Sequence, residues 1–248
     1  MRIAILSDIH GNLAALEAVV EDLRRRAVDT VVNLGDSLAG PLLPLETAQY
    51  LMARNWTHLS GNHERQLLEH TADTGEASDV YARSRLSQRE LDWISTLKPA
   101  HRFSSQVLLC HATPDHDNEY LLETAENGRT RLATAQEVEG RLGSIGAALI
   151  ACGHTHVPRS VRTAQGQLIV NPGSVGLPAY DDDRPCFHVV ENGSPDARYA
   201  IVEKRKAGWT SELIAVPYDH AAMAQLAKQR GRDDWVCALL TGYMGTAA

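Results

Sequence analysis

Apolar positions alternate between strand-like and helix-like periods through the first third of the chain. The run "RIAILS" predicts a buried strand, and "NLAALEAVVEDLRRR" spaces its apolar residues by three and four positions, as in an amphipathic helix capped by Asn12. A strand at "DTVVNLG", a helix at "PLETAQYLMAR" and a strand at "WTHLSG" follow. This β-α-β-α-β order predicts parallel strands that are joined by helical crossovers.

The pattern changes beyond this region. Helices with capping boxes are predicted at "SQRELDWISTL" and "TAQEVEGRL", and a short apolar strand, "QVLLC", lies between them. From residue 147 onward the strands "ALIAC", "RSVRT", "QLIV", "FHVV" and "RYAIV" alternate with turns, which favours an antiparallel or mixed sheet. We therefore expect one domain of α/β (α+β) class over residues 1–248, with a partly helical C-terminal extension from about 205 to 248 docked on it.

Composition is that of an ordinary soluble globular chain. With 24 basic and 31 acidic side chains the formal net charge is −7, which argues against an extended nucleic-acid-binding face but allows a small positive pocket. The four cysteines form no C-x-x-C pair, so neither a zinc ribbon nor a dense disulfide scaffold is indicated. The apolar run "MRIAIL" is too short for a leader or a membrane span, and we expect a cytoplasmic protein.

Side chains that bind divalent metals follow five of the predicted strands. They are Asp8, His10, Asp36, Asn62, His111, His154 and His156. In α/β sheets ligands bind beyond the carboxyl ends of the strands, so we expect these seven side chains to converge on one site. Oxygen and imidazole ligands without a thiolate suit two ions of manganese, iron, nickel or zinc better than a structural zinc ion.

The spacing of these residues also indicates how they are arranged. Asp36 stands alone after its strand and is suited to bridge two ions about 3.5–4 Å apart, as in two-metal phosphoester-cleaving sites. Residues two apart in an extended chain point the same way, which predicts that the "SDIH" and "GHTH" pairs each face one centre.

The motifs "SDIHGN", "LGDS", "SGNHE", "CHATP" and "CGHTHVP" together resemble the calcineurin-like metallophosphoesterases, with "VNPGSVGLP" resembling the small bacterial and archaeal phosphodiesterase-type members. The resemblance extends from residue 1 to about residue 177. It implies two packed mixed β-sheets flanked by helices, which form a four-layer sandwich. It also implies a first metal bound by Asp8, His10 and His156 and a second by Asn62, His111 and His154, with Asp36 shared.

The resemblance further implies hydrolysis by in-line attack of a hydroxide held between the two ions, without a protein nucleophile. His63 would be the catalytic side chain that stabilises the transition state or protonates the leaving oxygen. If the chain is still extended here, His63 points away from Asn62 toward the substrate. Glu64 stands where the next helix begins, and we interpret it as scaffolding that favours the helix dipole rather than as a base.

We expect a phosphodiesterase that acts on a small molecule. The rival enzyme function is a phosphomonoesterase, either a nucleotide or a protein phosphatase. However, "GDSLAGP" lacks the arginine with which the protein-phosphatase motif G-D-x-V-D-R-G grips a dianionic phosphate. The rival of another class is a non-enzymatic interaction protein on the same fold, against which the complete ligand set argues. The metal identity, the oligomeric state and the substrate-binding residues stay open.

Residues outside these motifs receive structural interpretations. His58, His70, His101, His188 and His220 have no motif around them, so we expect surface or hydrogen-bonded histidines. Cys110 should face the core, because strand alternation turns it away from His111. The segment 115–118, "DHDN", either lines the pocket or forms turns.

Overall fold

The computed structural model describes residues 1–69 and 75–245, so His70 lies outside the described residues. Within these ranges the strands are β1 (Arg2–Leu6), β2 (Thr30–Asn33), β3 (Thr57–His58), β4 (Ala100–Ser104), β5 (Val107–Cys110), β6 (Glu123–Glu126), β7 (Gly128–Leu132), β8 (Leu149–Ala151), β9 (Arg159–Arg162), β10 (Leu168–Asn171), β11 (Ala179–Asp182), β12 (His188–Glu191), β13 (Ala197–Arg205) and β14 (Gly208–Val216). The helices are α1 (Leu13–Leu23), α2 (Pro44–Met52), α3 (Asn62–Glu69), α4 (Ala77–Arg85), α5 (Gln88–Ser95), α6 (Ala135–Leu142), α7 (His220–Gln229) and α8 (Asp233–Thr241). None of these helices has the length and the apolar surface that a membrane crossing needs.

The first sheet has the strand order β14-β13-β1-β2-β3. Strands β1, β2 and β3 are parallel, with Ile3 opposite Thr30, as the β-α-β-α-β pattern predicted. Helices α1 and α2 form the crossovers, and the side chain of Asn12 caps α1 by accepting a hydrogen bond from the amide of Ala15. Strand β13 returns antiparallel beside β1, so the sheet as a whole is mixed.

The second sheet has the order β4-β5-β8-β10-β9, in which the three central strands are parallel and the outer two antiparallel. Buried aliphatic side chains of both sheets, such as Ile3, Val32, Leu109 and Leu149, form the core between them. Each contributes roughly 1.5–3 kcal/mol to the free energy of unfolding. Helix α1 covers the outer face of the first sheet and α6 that of the second, where Cys110 is buried as predicted. The molecule therefore has the four layers that the family resemblance implied.

A third sheet, in the order β11-β12-β7-β6, was not expected from the sequence. Strands β6, β7 and β11 read "ETAE", "GRTRL" and "AYDD", which carry no alternation of apolar and polar residues. Strand β7 pairs with β6 and β12 through its main chain, and Arg131 adds ion pairs with Glu126 on β6 and Glu137 on α6, each at 2.8 Å. The prediction of two sheets was incomplete because polar strands give no hydrophobic period to detect.

The residues beyond about 205 form more than helices. Strand β14 pairs with β13 from Ala197 opposite Val216 to Arg205 opposite Gly208, and it is an edge strand of the first sheet. Helices α7 and α8 follow, and Trp235 of α8 lies in a buried cluster with residues of the β2–α2 loop and of β11. The tail therefore completes one sheet and then reaches the loop that follows β2.

His58, one of the histidines that lack a motif, packs against two tryptophan rings. Its ring lies between those of Trp56 and Trp93, with centroid distances of 6.1 and 5.5 Å. Burial lowers the pKa of His58 to about 4, so the ring stays neutral in the folded protein near neutral pH. By contrast, His188 is buried with both ring nitrogens hydrogen-bonded and His101 is exposed, as expected.

Candidate metal centre

The ends of β1, β2, β5 and β8 and the start of α3 bring the seven predicted metal-binding side chains together. Two groups form, in each of which the ligand atoms lie within 4.8 Å of one another: Asp8, His10 and His156 in the first group, and Asp36, His111 and His154 in the second. Asn62 adjoins the second group, since its Oδ1 lies 3.1 Å from Nε2 of His111. All seven side chains are buried. The grouping agrees with the division that the family resemblance implied, and the sharing of Asp36 by both ions stays a prediction.

The loops that carry these residues are not extended, so our explanation of the D-x-H and H-x-H spacing was wrong, and the prediction that the "GHTH" pair faces one centre was wrong too, because His154 and His156 lie in different groups. Five of the residues have a positive φ: Asp8 (56°), His10 (52°), Asp36 (52°), His154 (66°) and His156 (58°). Left-handed backbone costs a non-glycine residue roughly 1–2 kcal/mol. Main-chain hydrogen bonds between loops offset part of this cost, because the amides of Asp8 and His10 donate to the carbonyl oxygens of Gly35 and Asp36 at 3.0 Å each. Such strain is typical of functional sites.

Main-chain carbonyl oxygens determine which ring nitrogen of three ligand histidines carries the proton. The Nδ1 atoms lie near these oxygens as follows: His10 with Ala39 (2.8 Å), His111 with Leu34 (3.0 Å) and His156 with Leu177 (2.7 Å). A carbonyl oxygen only accepts, so Nδ1 is the donor in each pair. In a neutral ring Nε2 then presents a lone pair, which is the arrangement that metal-binding histidines use.

Lone pairs face one another in both groups. In the first, Nε2 of His10 lies 3.1 Å from Nε2 of His156, and Oδ1 of Asp8 has no hydrogen-bond donor among the described residues. In the second, Nε2 of His111 lies 3.1 Å from both Oδ2 of Asp36 and Oδ1 of Asn62. Buried acceptors in such contact need a shared cation or proton between them. The donor sets therefore fit a divalent ion in each group.

Comparison with known proteins places the chain in one family. Residues 1–193 match the family described as "Calcineurin-like phosphoesterase superfamily domain". The chain belongs to this family. A metallophosphoesterase from Sphaerobacter thermophilus has a similar structure, with a TM-score of 0.78 and 25% identity over 98% of this chain and 99% of that chain. The hypothetical protein PH1004 of Pyrococcus horikoshii OT3 shares the fold, with a TM-score of 0.72 and 17% identity over 100% and 99% of the two chains. The uncharacterized protein MJ0912 of Methanocaldococcus jannaschii is 24% identical over an alignment that covers 92% of this chain and 93% of that protein.

Glu64 supports the second ligand group of this phosphoesterase from behind. Its buried carboxylate accepts hydrogen bonds from the amides of Asp36, Ser37 and Gly61, each at 2.8 Å. The bond to Gly61 satisfies an amide at the start of α3, and the other two tie this helix to the loop after β2. Glu64 is thus scaffolding, as predicted, but it acts through three hydrogen bonds and not through the dipole of an exposed helix start. A Cβ at Gly61 would overlap the Asp36 carboxylate, so only glycine fits there.

His63 lies beside the ligand groups. Asn62 and His63 are the first residues of α3, so it is helical geometry, and not an extended strand end, that turns their side chains apart. The His63 ring is nearly perpendicular to that of His10, with 5.4 Å between centroids, and its Nδ1 lies 2.8 Å from Oδ1 of Asp79 on α4. Burial alone would lower the pKa of His63, but Asp36 and Asp79 outweigh it and raise the pKa to about 10. These contacts favour a ring that holds a proton.

A cavity of 540 Å³ lies over the ligand groups of the phosphoesterase. His63 lines it, together with three segments that the sequence analysis did not connect with the site: residues 76–78, residues 179–184 and part of the tail around Trp235. Asp79 was also missed, because the segment "ASDVYARSR" carries no motif and its carboxylate meets His63 only in the folded chain. For the open segment 115–118, Asn118 lines the cavity, whereas Asp117 pairs with Arg65 at 2.7 Å.

Proposed function

We propose that this phosphoesterase is a dinuclear-metal phosphodiesterase that hydrolyses a small-molecule phosphodiester. The observation that carries the proposal is the pair of buried ligand groups, each with lone pairs directed at one point, under a single cavity. Two divalent ions, when bound, supply the positive charge and the activated water that in-line hydrolysis of a phosphoester requires. Asp8, His10 and His156 would hold one ion, and Asn62, His111 and His154 the other, with Asp36 between them.

His63 is the proton donor in this proposal. Asp79 accepts a hydrogen bond from Nδ1 and fixes the ring, which leaves Nε2 to give its proton to the leaving oxygen of the ester. The buried Asp79 carboxylate is 3% exposed, so the pair stays oriented when substrate enters. His63 lies beside the two ligand groups but is a member of neither, so its proposed role requires no metal contact.

The charge of the cavity favours a diester over a monoester. Besides the ligand groups, the lining carries five carboxylates and two guanidinium groups: Glu76, Asp181, Asp182, Asp183 and Asp234, with Arg184 and Arg232. Arg232 is already paired with Asp234 at 2.6 Å. A monoester carries one more negative charge than a diester and is repelled more strongly by such a lining. The missing arginine in "GDSLAGP" supports the same preference.

The test combines metal analysis with two substrates. The purified protein is stripped with a chelator and reloaded with manganese, iron, nickel or zinc. Turnover is then measured with bis(p-nitrophenyl) phosphate and p-nitrophenyl phosphate. We expect two ions per chain and a higher kcat/KM for the diester. Asp36→Asn should lose metal and turnover together, whereas Glu21→Gln, an exposed carboxylate on α1, is the matched control.

Two outcomes contradict the proposal at different levels. A protein that binds no divalent ion, or binds two and hydrolyses neither ester with any of the four metals, is not the enzyme proposed and suits the interaction-protein alternative. A protein that binds two ions and prefers the monoester is a phosphomonoesterase instead.

A further inference from the structure

A chain of hydrogen bonds leads from the main chain at Cys186 through buried side chains to the cavity wall. The Tyr120 hydroxyl lies 2.7 Å from the Tyr180 hydroxyl and 2.8 Å from Nε2 of His188. On its other side His188 places Nδ1 2.8 Å from the carbonyl oxygen of Cys186. Tyr120 and His188 are buried, while Tyr180 lines the cavity and packs on the His156 ring with 4.6 Å between centroids. This chain of hydrogen bonds therefore ends next to a metal-ligand histidine.

The direction of every hydrogen bond in this chain follows from its end at Cys186. The carbonyl oxygen of Cys186 only accepts, so Nδ1 of His188 carries a proton, and Nε2 of the neutral ring is an acceptor. Tyr120 must therefore donate its one proton to Nε2. The 2.7 Å contact between the two hydroxyls then needs a proton from Tyr180, because two lone pairs would otherwise face each other.

The Tyr180 hydroxyl, at the cavity end of this chain of hydrogen bonds, is thereby left without a free proton. The other polar neighbour of the Tyr180 hydroxyl is the carbonyl oxygen of His154 at 3.3 Å, which is also an acceptor and also belongs to a lining residue. The shorter contact, to Tyr120, takes the proton. Toward a ligand in the cavity, Tyr180 can accept a hydrogen bond but has no proton to donate.

We propose that Tyr180 determines specificity by accepting a hydrogen bond from a hydroxyl group on the organic part of the substrate. The substrate class is then a phosphodiester of a polyhydroxy alcohol, with a hydroxyl a few atoms from phosphorus, because Tyr180 contacts the ligand histidine His156. Carboxylates at 181–183 also line this side of the cavity, and they too accept hydrogen bonds. The inference rests on the proposed phosphodiesterase function and names its substrate class.

Three esters of similar size test this. Each is a p-nitrophenyl phosphodiester whose second alcohol is 2-hydroxyethanol, 2-methoxyethanol or 1-propanol, so that the group offers a donor, only an acceptor, or neither. Hydrolysis is followed by chromatography of the phosphomonoester product, because the hydroxyethyl group can itself displace p-nitrophenolate and form ethylene phosphate. In the wild-type protein we expect kcat/KM for the hydroxyethyl ester to exceed that for the propyl ester about five- to tenfold, the range of one hydrogen bond. The methoxyethyl ester should be no better than the propyl ester.

Two variants separate this role from a structural one. In Tyr180→Phe the hydroxyethyl-to-propyl ratio should fall to about one. In Tyr120→Phe the Tyr180 proton loses its shorter contact and keeps only the His154 carbonyl oxygen at 3.3 Å, so a ligand can compete for it and the methoxyethyl ester should gain on the propyl ester. Tyr199→Phe removes a phenol outside the cavity lining and should leave all three ratios as in the wild type. A wild-type hydroxyethyl-to-propyl ratio within twofold of one, or a methoxyethyl ester preferred over the propyl ester, overturns the inference.

Two measurements do not depend on turnover. Nitrogen-15 NMR at pH 8 should show His188 protonated at Nδ1 and bare at Nε2, and the opposite tautomer overturns the inference. Calorimetry on the metal-loaded protein should show 2-hydroxyethyl phosphate binding about five- to tenfold more tightly than propyl phosphate, and equal affinities overturn it. If the binding difference is found but no diester is hydrolysed, the proposed function fails while the hydroxyl-binding role of Tyr180 stands.

Discussion

Glu64→Gln distinguishes a scaffolding carboxylate from a general base. Glu64 joins three amides on two segments, and both of its oxygens accept. In the glutamine variant the remaining oxygen can still accept hydrogen bonds from the amides of Asp36 and Gly61. Both bonds become weaker, because the acceptor no longer carries a negative charge. The new amide group faces the Ser37 amide, donor against donor. One bond is therefore lost and two are weakened, while the outline of the side chain is unchanged.

The magnitude follows from these contacts. Each of the two weakened bonds loses about 1 kcal/mol and the unsatisfied Ser37 amide costs about 1–3 kcal/mol, which together give about 3–5 kcal/mol. Burial and the nearby Asp36 raise the pKa of Glu64, which means that its negative charge is unfavourable at this position. Removal of that charge therefore offsets part of the lost free energy of unfolding. We expect a net loss of about 2–4 kcal/mol in the free energy of unfolding. Because the lost contacts hold the Asp36 loop, metal affinity of the second group should also fall.

Urea unfolding of the metal-free protein and calorimetric titration with manganese measure the two effects. Glu69→Gln is the control on the same helix, since Glu69 is 58% exposed and pairs with Arg65 at 3.1 Å. It should change the free energy of unfolding by no more than about 0.5 kcal/mol. The reasoning is refuted if Glu64→Gln keeps wild-type stability and binds two ions normally but loses turnover, because that is the behaviour of a base.

Further predictions concern the residues beside the metal groups and one buried histidine. Asn62→Ala removes the neutral oxygen beside His111 and should lower metal occupancy at one position. His63→Ala should keep two ions and lower kcat about 10²-fold or more. Metal analysis combined with kinetics separates the two variants, and the reverse result would exchange the roles of Asn62 and His63. Asp79→Asn should lower kcat with both ions retained, because it removes the carboxylate that orients Nδ1 of His63, and metal loss would contradict this. Because the pKa of His58 is lowered to about 4 in the folded protein, His58 of the unfolded chain binds a proton at a higher pH, near 6.5. The folded state therefore loses stability as the pH falls from about 6.5 toward about 4. Between pH 8 and pH 5 the wild type should lose up to about 2 kcal/mol more than His58→Leu in urea unfolding, and parallel curves would exclude His58 as the cause.

Local sequence patterns predicted the parts of the site that local chemistry controls. The apolar runs that form β1, β2, β5 and β8 are continuous in sequence, and each is followed within three residues by a metal-binding residue. Apolar periodicity places such runs in a core, and the carboxyl ends of parallel strands lie at a common edge. Both facts are readable without tertiary contacts, so the seven residues were accessible from the sequence, whereas the four layers were implied by the family resemblance. The third sheet was not, because its polar strands depend on contacts such as that of Arg131 with Glu137.

The tertiary structure decided how the residues are held and what surrounds them. The left-handed backbone at Asp8 and His10, the three amides on Glu64 and the pairing of Asp79 with His63 all require segments that meet only after folding. The cavity wall depends on still longer separations: Tyr120 and His188 are 68 positions apart, and Arg232 donates to Ser78 across 154 positions. Sequence alone determined the ligand types and the strands that present them, because these follow from residue chemistry and period. Hydrogen-bond direction and cavity charge belong to the fold, because they are properties of pairs of residues that no local pattern joins.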